Sequence, residues 1–338
     1  MIIQQKNDDL VKKEVKREPI LKVEGLKKYF YPKKSIGEEQ KIVKAVENVS
    51  FELFEGETLG IVGESGCGKS TMGRSLLRLI EPTEGKVVLQ GRNLVGLSKN
   101  ELREARRNIQ MVFQDPYSSL NPRLRIGSIL EESLIIQGVT NKNERTEKVL
   151  EMLNLVGLNE SQYYRFPHEF SGGQRQRIGL ARALIVNPKV VVCDEPVSAL
   201  DVSVQAQIIN LLRNLQKSLS VSFIFIAHDI SVVRHISDRI GVMYLGNLVE
   251  EATTEELFAN PKHPYTQSLL SAVPLPNPEI KKERIILKGD LPSPLNPPSG
   301  CVFHTRCPVA FDLCKSISPE RTKVSNSHAV RCHLNESV

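Results

Sequence analysis

The sequence predicts a mainly parallel α/β sheet that carries an inserted helical subdomain and a small cysteine-rich C-terminal module. Three observations predict it. Short apolar strands alternate with amphipathic helices. A glycine-rich loop, Gly63–Ser70, joins one such strand to a helix. A continuous apolar strand, Val190–Cys193, runs into two carboxylates, as expected where helices cover both faces of a sheet.

The 338 residues give room for one large domain and an appendage. The first 20 are polar and charged with little to bury, and read as a mobile tail. Compact structure starts at the alternating run Ile20–Val23, which suits a strand, and continues to 259. Residues 32–41 hold charge, Gly and Pro, and read as a surface hairpin loop. Leu59–Val62 is a short strand feeding the glycine loop. A helix follows over 70–80, with Leu76, Leu77 and Ile80 on one face. Ile109–Phe113 is the next buried strand. From about 115 to 180 helix formers dominate, with Val149, Leu150, Leu153 and Val156 at helical spacing, which predicts the inserted subdomain. Val204, Ile208, Leu211, Leu212 and Leu215 predict another helix, and Val221–Ala227 another strand. Pro261–Pro264 ends the regular pattern. Prolines then accumulate and four of the six cysteines follow residue 300, so about 260–338 reads as a C-terminal module.

Composition narrows the function classes. The net charge of +6 is modest and no dense basic block stands out, so the basic side chains read as a solvated surface rather than a nucleic-acid footprint. An anionic nucleotide or membrane surface suits the same balance. No run approaches about 18 apolar residues, so no spanning helix is expected. The charged start Met1–Asp9 lacks the apolar stretch of a signal peptide, which predicts a cytosolic protein. Cysteines there read as thiols, or as metal ligands where they cluster.

Gly63–Ser70 fits the pattern G-x-x-x-x-G-K-S between strand and helix. Gly63, Ser65, Gly66 and Gly68 let backbone N–H groups wrap phosphate at a helix N-terminus. Lys69 brings a mobile positive charge to the β and γ phosphates, the Ser70 hydroxyl can ligate Mg²⁺, and Thr71 reaches the phosphates beside it. Asp194 ends its strand where a carboxylate can hold the Mg²⁺ shell through water. Glu195 follows and is the candidate for polarising the attacking water. Gln114 closes the strand before the insertion, where it can touch Mg²⁺ or that water. His228 closes Val221–Ala227, within reach of a γ-phosphate. Ser198–Asp201 opens a helix, with Asp201 as N-cap or as an acidic contact across a dimer seam. Phe30, between Tyr29 and Tyr31, is the candidate to stack on adenine, with core packing as the competing reading. Between the two carboxylates and the glycine loop lies Phe170-Ser171-Gly172-Gly173-Gln174, a turn suited to capping a nucleotide held by a second subunit.

In this order the motifs resemble those of ATP-binding subunits of ABC transporters, over about residues 21–258. Gly63–Ser70 matches Walker A, Gln114 the Q-loop, Phe170–Gln174 the signature, with Phe where Leu is commoner, Val190–Glu195 Walker B, Ser198–Asp201 the D-loop, and His228 the switch histidine. The resemblance implies a P-loop NTPase fold with an antiparallel edge subdomain. It implies ATP sandwiched head to tail between two subunits, a paralogue or a second copy. Ser171, Gly172, Gly173 and Gln174 then meet the γ-phosphate bound by the other subunit's Lys69 loop. It implies two membrane permeases contacting the helical subdomain, a solute-binding protein acting indirectly, no nucleic acid, and a peripheral place on the cytoplasmic face of the cell membrane. The tail His263-Pro264-Tyr265-Thr266, then Cys301, Cys307-Pro308, Cys314 and His328-x3-Cys332-His333, looks like that of oligopeptide and dipeptide importers. Sugar and nickel importers are related alternatives. A soluble ABC ATPase acting on DNA or ribosomes is a third reading, opposed by the single nucleotide domain and the lack of sustained heptads.

Cys301, Cys307, Cys314 and Cys332 are separated by five, six and seventeen residues. Four thiolates can hold Zn²⁺ or a [4Fe–4S] cluster, yet these gaps match neither common zinc pairs nor a ferredoxin run. Free thiols packed in a small module are the third possibility. The resemblance to the peptide-importer tail favours [4Fe–4S], and a metal staple would help a Pro-rich segment fold. Cys67 and Cys193 read as small packing residues. His304, His328 and His333 read as surface or supporting side chains.

Overall fold

A computed structural model describes residues 18–32, 40–115, 119–273 and 284–336. The expected tail, except for Glu18–Ile20, and most of the 32–41 loop lie outside the described residues. Among the described residues twelve strands form two sheets. They are β1 (Leu21–Phe30), β2 (Val43–Leu53), β3 (Thr58–Val62), β4 (Glu84–Leu89), β5 (Arg92–Asn93), β6 (Ile109–Val112), β7 (Val190–Asp194), β8 (Ser222–Ala227), β9 (Arg239–Tyr244), β10 (Asn247–Thr253), β11 (Thr322–Lys323) and β12 (Ala329–Val330). The described helices are α1 (Lys69–Leu76), α2 (Lys99–Ala105), α3 (Ile126–Ile136), α4 (Lys142–Leu155), α5 (Gly172–Leu184), α6 (Val202–Leu219), α7 (Ile230–Arg234), α8 (Thr254–Ala259), α9 (Pro264–Ser271) and α10 (Asp312–Ser316).

The larger sheet runs β11-β12-β10-β9-β3-β8-β7-β6. Its five strands from β9 to β6 are parallel, and β10, β12 and β11 continue it antiparallel. The smaller sheet, β2-β1-β4-β5, is antiparallel throughout. Strand alternation explains the two cores. On β7 and β8, Val191, Cys193, Phe223 and Phe225 face one side of the sheet, with Ile178, Leu180 and Ile208. Val190, Val192, Ile224 and Ile226 face the other, with Met72 and Leu76 of α1 and the inner face of the small sheet. Side chains two apart share a face, so a strand covered on both sides must be apolar throughout.

Two expectations need correction. The helix after the glycine loop ends at Leu76, not residue 80: Arg78 takes φ 50 and its guanidinium donates to the Leu94 and Leu97 carbonyls, turning the chain out toward β4. Pro264 does not end regular structure. It occupies the first turn of α9, where its missing N–H costs nothing. The region beyond 260 contributes to the main core. Tyr265, Phe303, Cys301 and Cys314 belong to one of the two cores, and β12 pairs with β10 at Glu250 and Glu251. Among the described residues no helix is long and apolar enough to cross a membrane.

Candidate functional site

Parallel strands all release their chains at the same sheet edge, so the loops after β3, β6, β7 and β8 converge. That topology gathers Gly63–Ser70, Gln114, Asp194–Glu195 and His228. A cavity of about 440 Å³ opens there, and Phe30, Ser65, Gly66, Gly68, Lys69, Ser70, Thr71, Gln114 and Glu195 line it.

Gly68 caps α1 at φ 105, and a Cβ on it would sit 2.1 Å from the Ala45 carbonyl oxygen. Only glycine fits that backbone. Lys69 folds over the loop, donating to the Gly63 carbonyl at 2.7 Å and the Glu64 carbonyl at 3.0 Å. Ser70 Oγ donates to Asp194 Oδ1 at 2.7 Å. Asp194 is fully buried, and burial pushes its carboxyl above the usual range, against the Ser70 hydrogen bond and the charge of Arg74. Its Oδ2 has no hydrogen-bond partner, and the nearest cation, Arg74 Nη2, is 3.8 Å away.

Glu195 adopts φ 48, a left-handed conformation that a side-chain-bearing residue holds only under constraint. Its N–H donates to the Ile226 carbonyl at 3.0 Å, which fixes it to the neighbouring strand. Gln114 Nε2 donates to Glu195 Oε2 at 2.9 Å, and His228 Nδ1 lies 3.7 Å from the same oxygen. One carboxylate oxygen is thus the meeting point of two strand-end side chains. Phe30 ends β1, half exposed, with the Lys28 ammonium 4.9 Å from its ring centre.

Ser171, Gly172, Gly173, Gln174 and Asp201 do not line this cavity. Ser171 is instead the N-cap of α5, closing a capping box in which its Oγ accepts the Gln174 N–H and Gln174 Oε1 accepts the Ser171 N–H at 3.1 Å. A Cβ on Gly173 would lie 2.6 Å from Val204 Cγ1, so the glycine lets α5 start close against α6. Asp201 takes the N-cap position of α6 without a side-chain cap bond.

Sequence reasoning missed one wall of the cavity. Val43, Lys44 and Ala45 at the start of β2, the turn Leu245–Gly246, and Pro294 complete it. Leu245 and Gly246 both have positive φ, which makes the tight turn between β9 and β10. The Gly246 N–H donates to the Cys67 carbonyl, and the Lys44 N–H to that of Pro294 at 3.2 Å. Pro294 lay in plain view in the proline-rich stretch, but nothing local ties it to residue 44.

Cys67 and Cys193 are buried, and burial raises both thiols. Cys301, Cys314 and Cys332 are buried and Cys307 half-buried. Burial pushes the Cys332 thiol up to about 11, with smaller contributions from Cys301, Cys307 and Cys314. Yet among the described residues no group of three or more His, Cys, Asp or Glu side chains is gathered closely enough to hold a metal ion. As placed here, the four thiols do not fit a cluster or a zinc site. His328 is no surface residue. It is fully buried, with Nε2 2.7 Å from Glu250 Oε1.

Known proteins resemble this chain in sequence and in fold. The ABC transporter family matches residues 46–198, and the oligopeptide/dipeptide transporter C-terminal region matches 249–314. The oligopeptide transport ATP-binding protein AppF of Bacillus subtilis is 57% identical over 323 residues, 94% of this chain and 98% of that protein. The dipeptide transport ATP-binding protein DppF of Haemophilus influenzae is 52% identical over 314 residues, 93% and 96% of the two chains. Among solved structures, a post-hydrolysis dimer of the ATP-binding cassette MJ0796 bound to ADP and Pi superimposes with a TM-score of 0.61 at 33% identity. It covers 69% of this chain and 98% of that one.

Proposed function

This chain belongs to the ABC transporter family, in its oligopeptide/dipeptide branch, and we infer that it is the ATP-hydrolysing subunit that energises uptake of di- and oligopeptides through membrane permeases. The observation that carries the mechanism is the convergence of Gln114 and His228 on Glu195 Oε2 beside the Lys69 loop. In our reading the loop's N–H groups and Lys69 hold the β and γ phosphates. Ser70 and Asp194 suit Mg²⁺, because they offer hard oxygen donors and the buried Asp194 Oδ2 has no hydrogen-bond partner. Bound there, the ion would offset charge developing on the phosphates. Glu195 accepts the proton of a water whose oxygen attacks the γ-phosphorus while the bond to the β-bridging oxygen breaks. Gln114 and His228 orient that carboxylate, and Phe30 stacks on adenine.

Ser171–Gln174 and Asp201 are proposed to act on a second subunit's nucleotide. Their absence from the cavity of their own chain supports this, as does an α5 N-terminus suited to an anion. The partner is proposed to be a paralogue, with two permeases docking on the helical subdomain at the cytoplasmic face, a solute-binding protein acting from beyond them and no nucleic acid involved. Kinship with peptide transporters supports peptides over sugars, nickel or ribosomal substrates. Glu195→Gln tests the core of this reading: ATP binding should persist while turnover falls about 10²-fold or more, the scale of one preorganised group. Wild-type turnover would remove Glu195 from its role.

The [4Fe–4S] cluster stands as a separate proposal. Its support is the run Cys301, Cys307, Cys314 and Cys332 in a C-terminal region that matches the oligopeptide/dipeptide transporter family over 249–314. It requires them to draw together from positions that hold no metal group among the described residues. Iron and acid-labile sulfide on anaerobically purified protein should be present and should vanish in Cys307→Ser/Cys314→Ser. Zinc, or no metal, in the parent protein would end the proposal.

A further inference from the structure

We propose that Tyr265 and Arg306, both from the C-terminal region, are positioning residues for the phosphate loop and set its affinity for ATP by holding Glu64. Glu64 is the second residue of that loop. Three of its groups are gripped at once. Its N–H donates to the Tyr265 hydroxyl oxygen at 2.9 Å. Its carboxylate accepts from Arg306 Nη1 at 3.1 and 2.9 Å. Its carbonyl accepts from Lys69 Nζ at 3.0 Å. The first two contacts span 201 and 242 residues of chain.

The anchor is closely packed. Tyr265 is fully buried, and its ring packs against Tyr244 and Phe303 with centres 4.7 and 5.4 Å apart. The His263 ring caps α9 by accepting the Tyr265 N–H at 3.1 Å. Arg306 leaves a tight turn in which its N–H donates to the Phe303 carbonyl at 3.0 Å, and its side chain is 9% exposed. The Glu64 side chain is more open, at 29% exposed, and two charge-assisted contacts from one shielded guanidinium outweigh a single neutral hydrogen bond.

Neither Tyr265 nor Arg306 lines the nucleotide cavity, so both act through Glu64. Two physical effects follow. The Glu64 carbonyl is one of two seats of Lys69, so its orientation governs where that ammonium rests. The Glu64 carboxylate is also a negative charge on a loop built to receive phosphate. Arg306 neutralises it. Without Arg306, Glu64 would repel the ligand and be free to draw Lys69 away from it.

The test measures equilibrium ATP binding and the KM–kcat split on the full-length chain, and rests on the ATP-site reading above. Lys69→Ala checks that reading first and should lose binding. Arg306→Ala should weaken ATP binding and raise KM about tenfold, equal to about 1.4 kcal/mol, with kcat changed less. Arg306→Lys should recover part of the loss. Tyr265→Phe, which removes only the hydroxyl, should cost about threefold. The decisive variant is Glu64→Gln in the Arg306→Ala background, which removes the unpaired charge and should return affinity most of the way to wild type. Arg321→Ala breaks another C-terminal ion pair, with Glu251, and should leave KM unchanged. A lower melting temperature with unchanged ATP affinity in Arg306→Ala and Tyr265→Phe overturns the proposal, as does a double variant no better than Arg306→Ala. If Lys69→Ala binds ATP like wild type, the site reading falls and the proposal with it.

Discussion

The two ends of the nucleotide cavity are built by different means. At the phosphate end, the glycine loop follows β3 and Asp194–Glu195 close β7, two parallel strands with β8 between them, and Ser70 donates directly to Asp194. At the other end, Phe30, Lys44, Leu245, Gly246 and Pro294 come from two sheets and the proline-rich segment, and share little beyond backbone contacts. The difference suits the role proposed for each end. Phosphate and Mg²⁺ need charges and donors fixed to a few tenths of an ångström, which strand ends in a packed sheet provide. A flat base needs a surface of the right shape, and many backbones can supply one.

The sharpest break of this contrast is Gly68→Ala. The new methyl would meet the Ala45 carbonyl at 2.1 Å and demand a backbone conformation unfavourable to alanine. A left-handed residue alone costs on the order of 1–3 kcal/mol, and the clash adds to it. ATP binding measured by titration should fall by at least about 10²-fold. Near-normal affinity would mean that the loop is plastic and that the phosphate end is no more exacting than the other.

This contrast also explains what could be read in advance. The parallel sheet, the glycine loop and the strand-end carboxylates announce themselves because each is local: strand, turn and side chain lie within eight or so residues. Gln114 and His228 were legible for the same reason, as polar residues closing apolar strands. The capping role of Ser171 within its own helix could have been read from the spacing to Gln174, since Ser-x-x-Gln is a capping box. Pro294, Tyr265 and Arg306 could not. Their partners, Lys44 and Glu64, are some two hundred residues away, and no periodicity records such a contact. The place of Phe303 and Tyr265 in the main core was not legible either, because prolines and cysteines nearby carry no signal of what they pack against.

A milder variant sharpens the comparison from the base end. Phe30→Ala should weaken ATP binding about tenfold, the scale of one base–aromatic stack by alanine substitution, and should weaken inorganic triphosphate binding hardly at all. Pro294→Gly should act in the same sense but less, because it changes the wall and leaves the ring. Equal losses for ATP and triphosphate would place Phe30 in loop support rather than base contact.

The smallest effect concerns neither end but the segment that joins them. His263 caps α9 just before Tyr265, is almost fully buried, and its Nε2 has no hydrogen-bond partner. Burial pulls its pKa down to about 4, with the Glu250 charge opposing in part. Its folded form therefore stays neutral while an unfolded histidine takes up a proton below pH 6.5. The resulting stability is full above that pH and drains away as pH falls toward 4, because the unfolded state binds more protons in that window. His328, on the same Glu250, is shifted upward: burial lowers it, but hydrogen bonding and charge from Glu250 and Glu256 win. Its contribution is present at acid pH and lost as pH rises through its folded value, so the two histidines work in opposite directions. His263→Asn keeps a capping acceptor and removes the titration. Between pH 7 and pH 5 the parent should lose about 2 kcal/mol more stability in urea melts than the variant. Parallel losses would mean that water reaches the imidazole, and that the anchor beneath the phosphate loop is looser than its packing suggests.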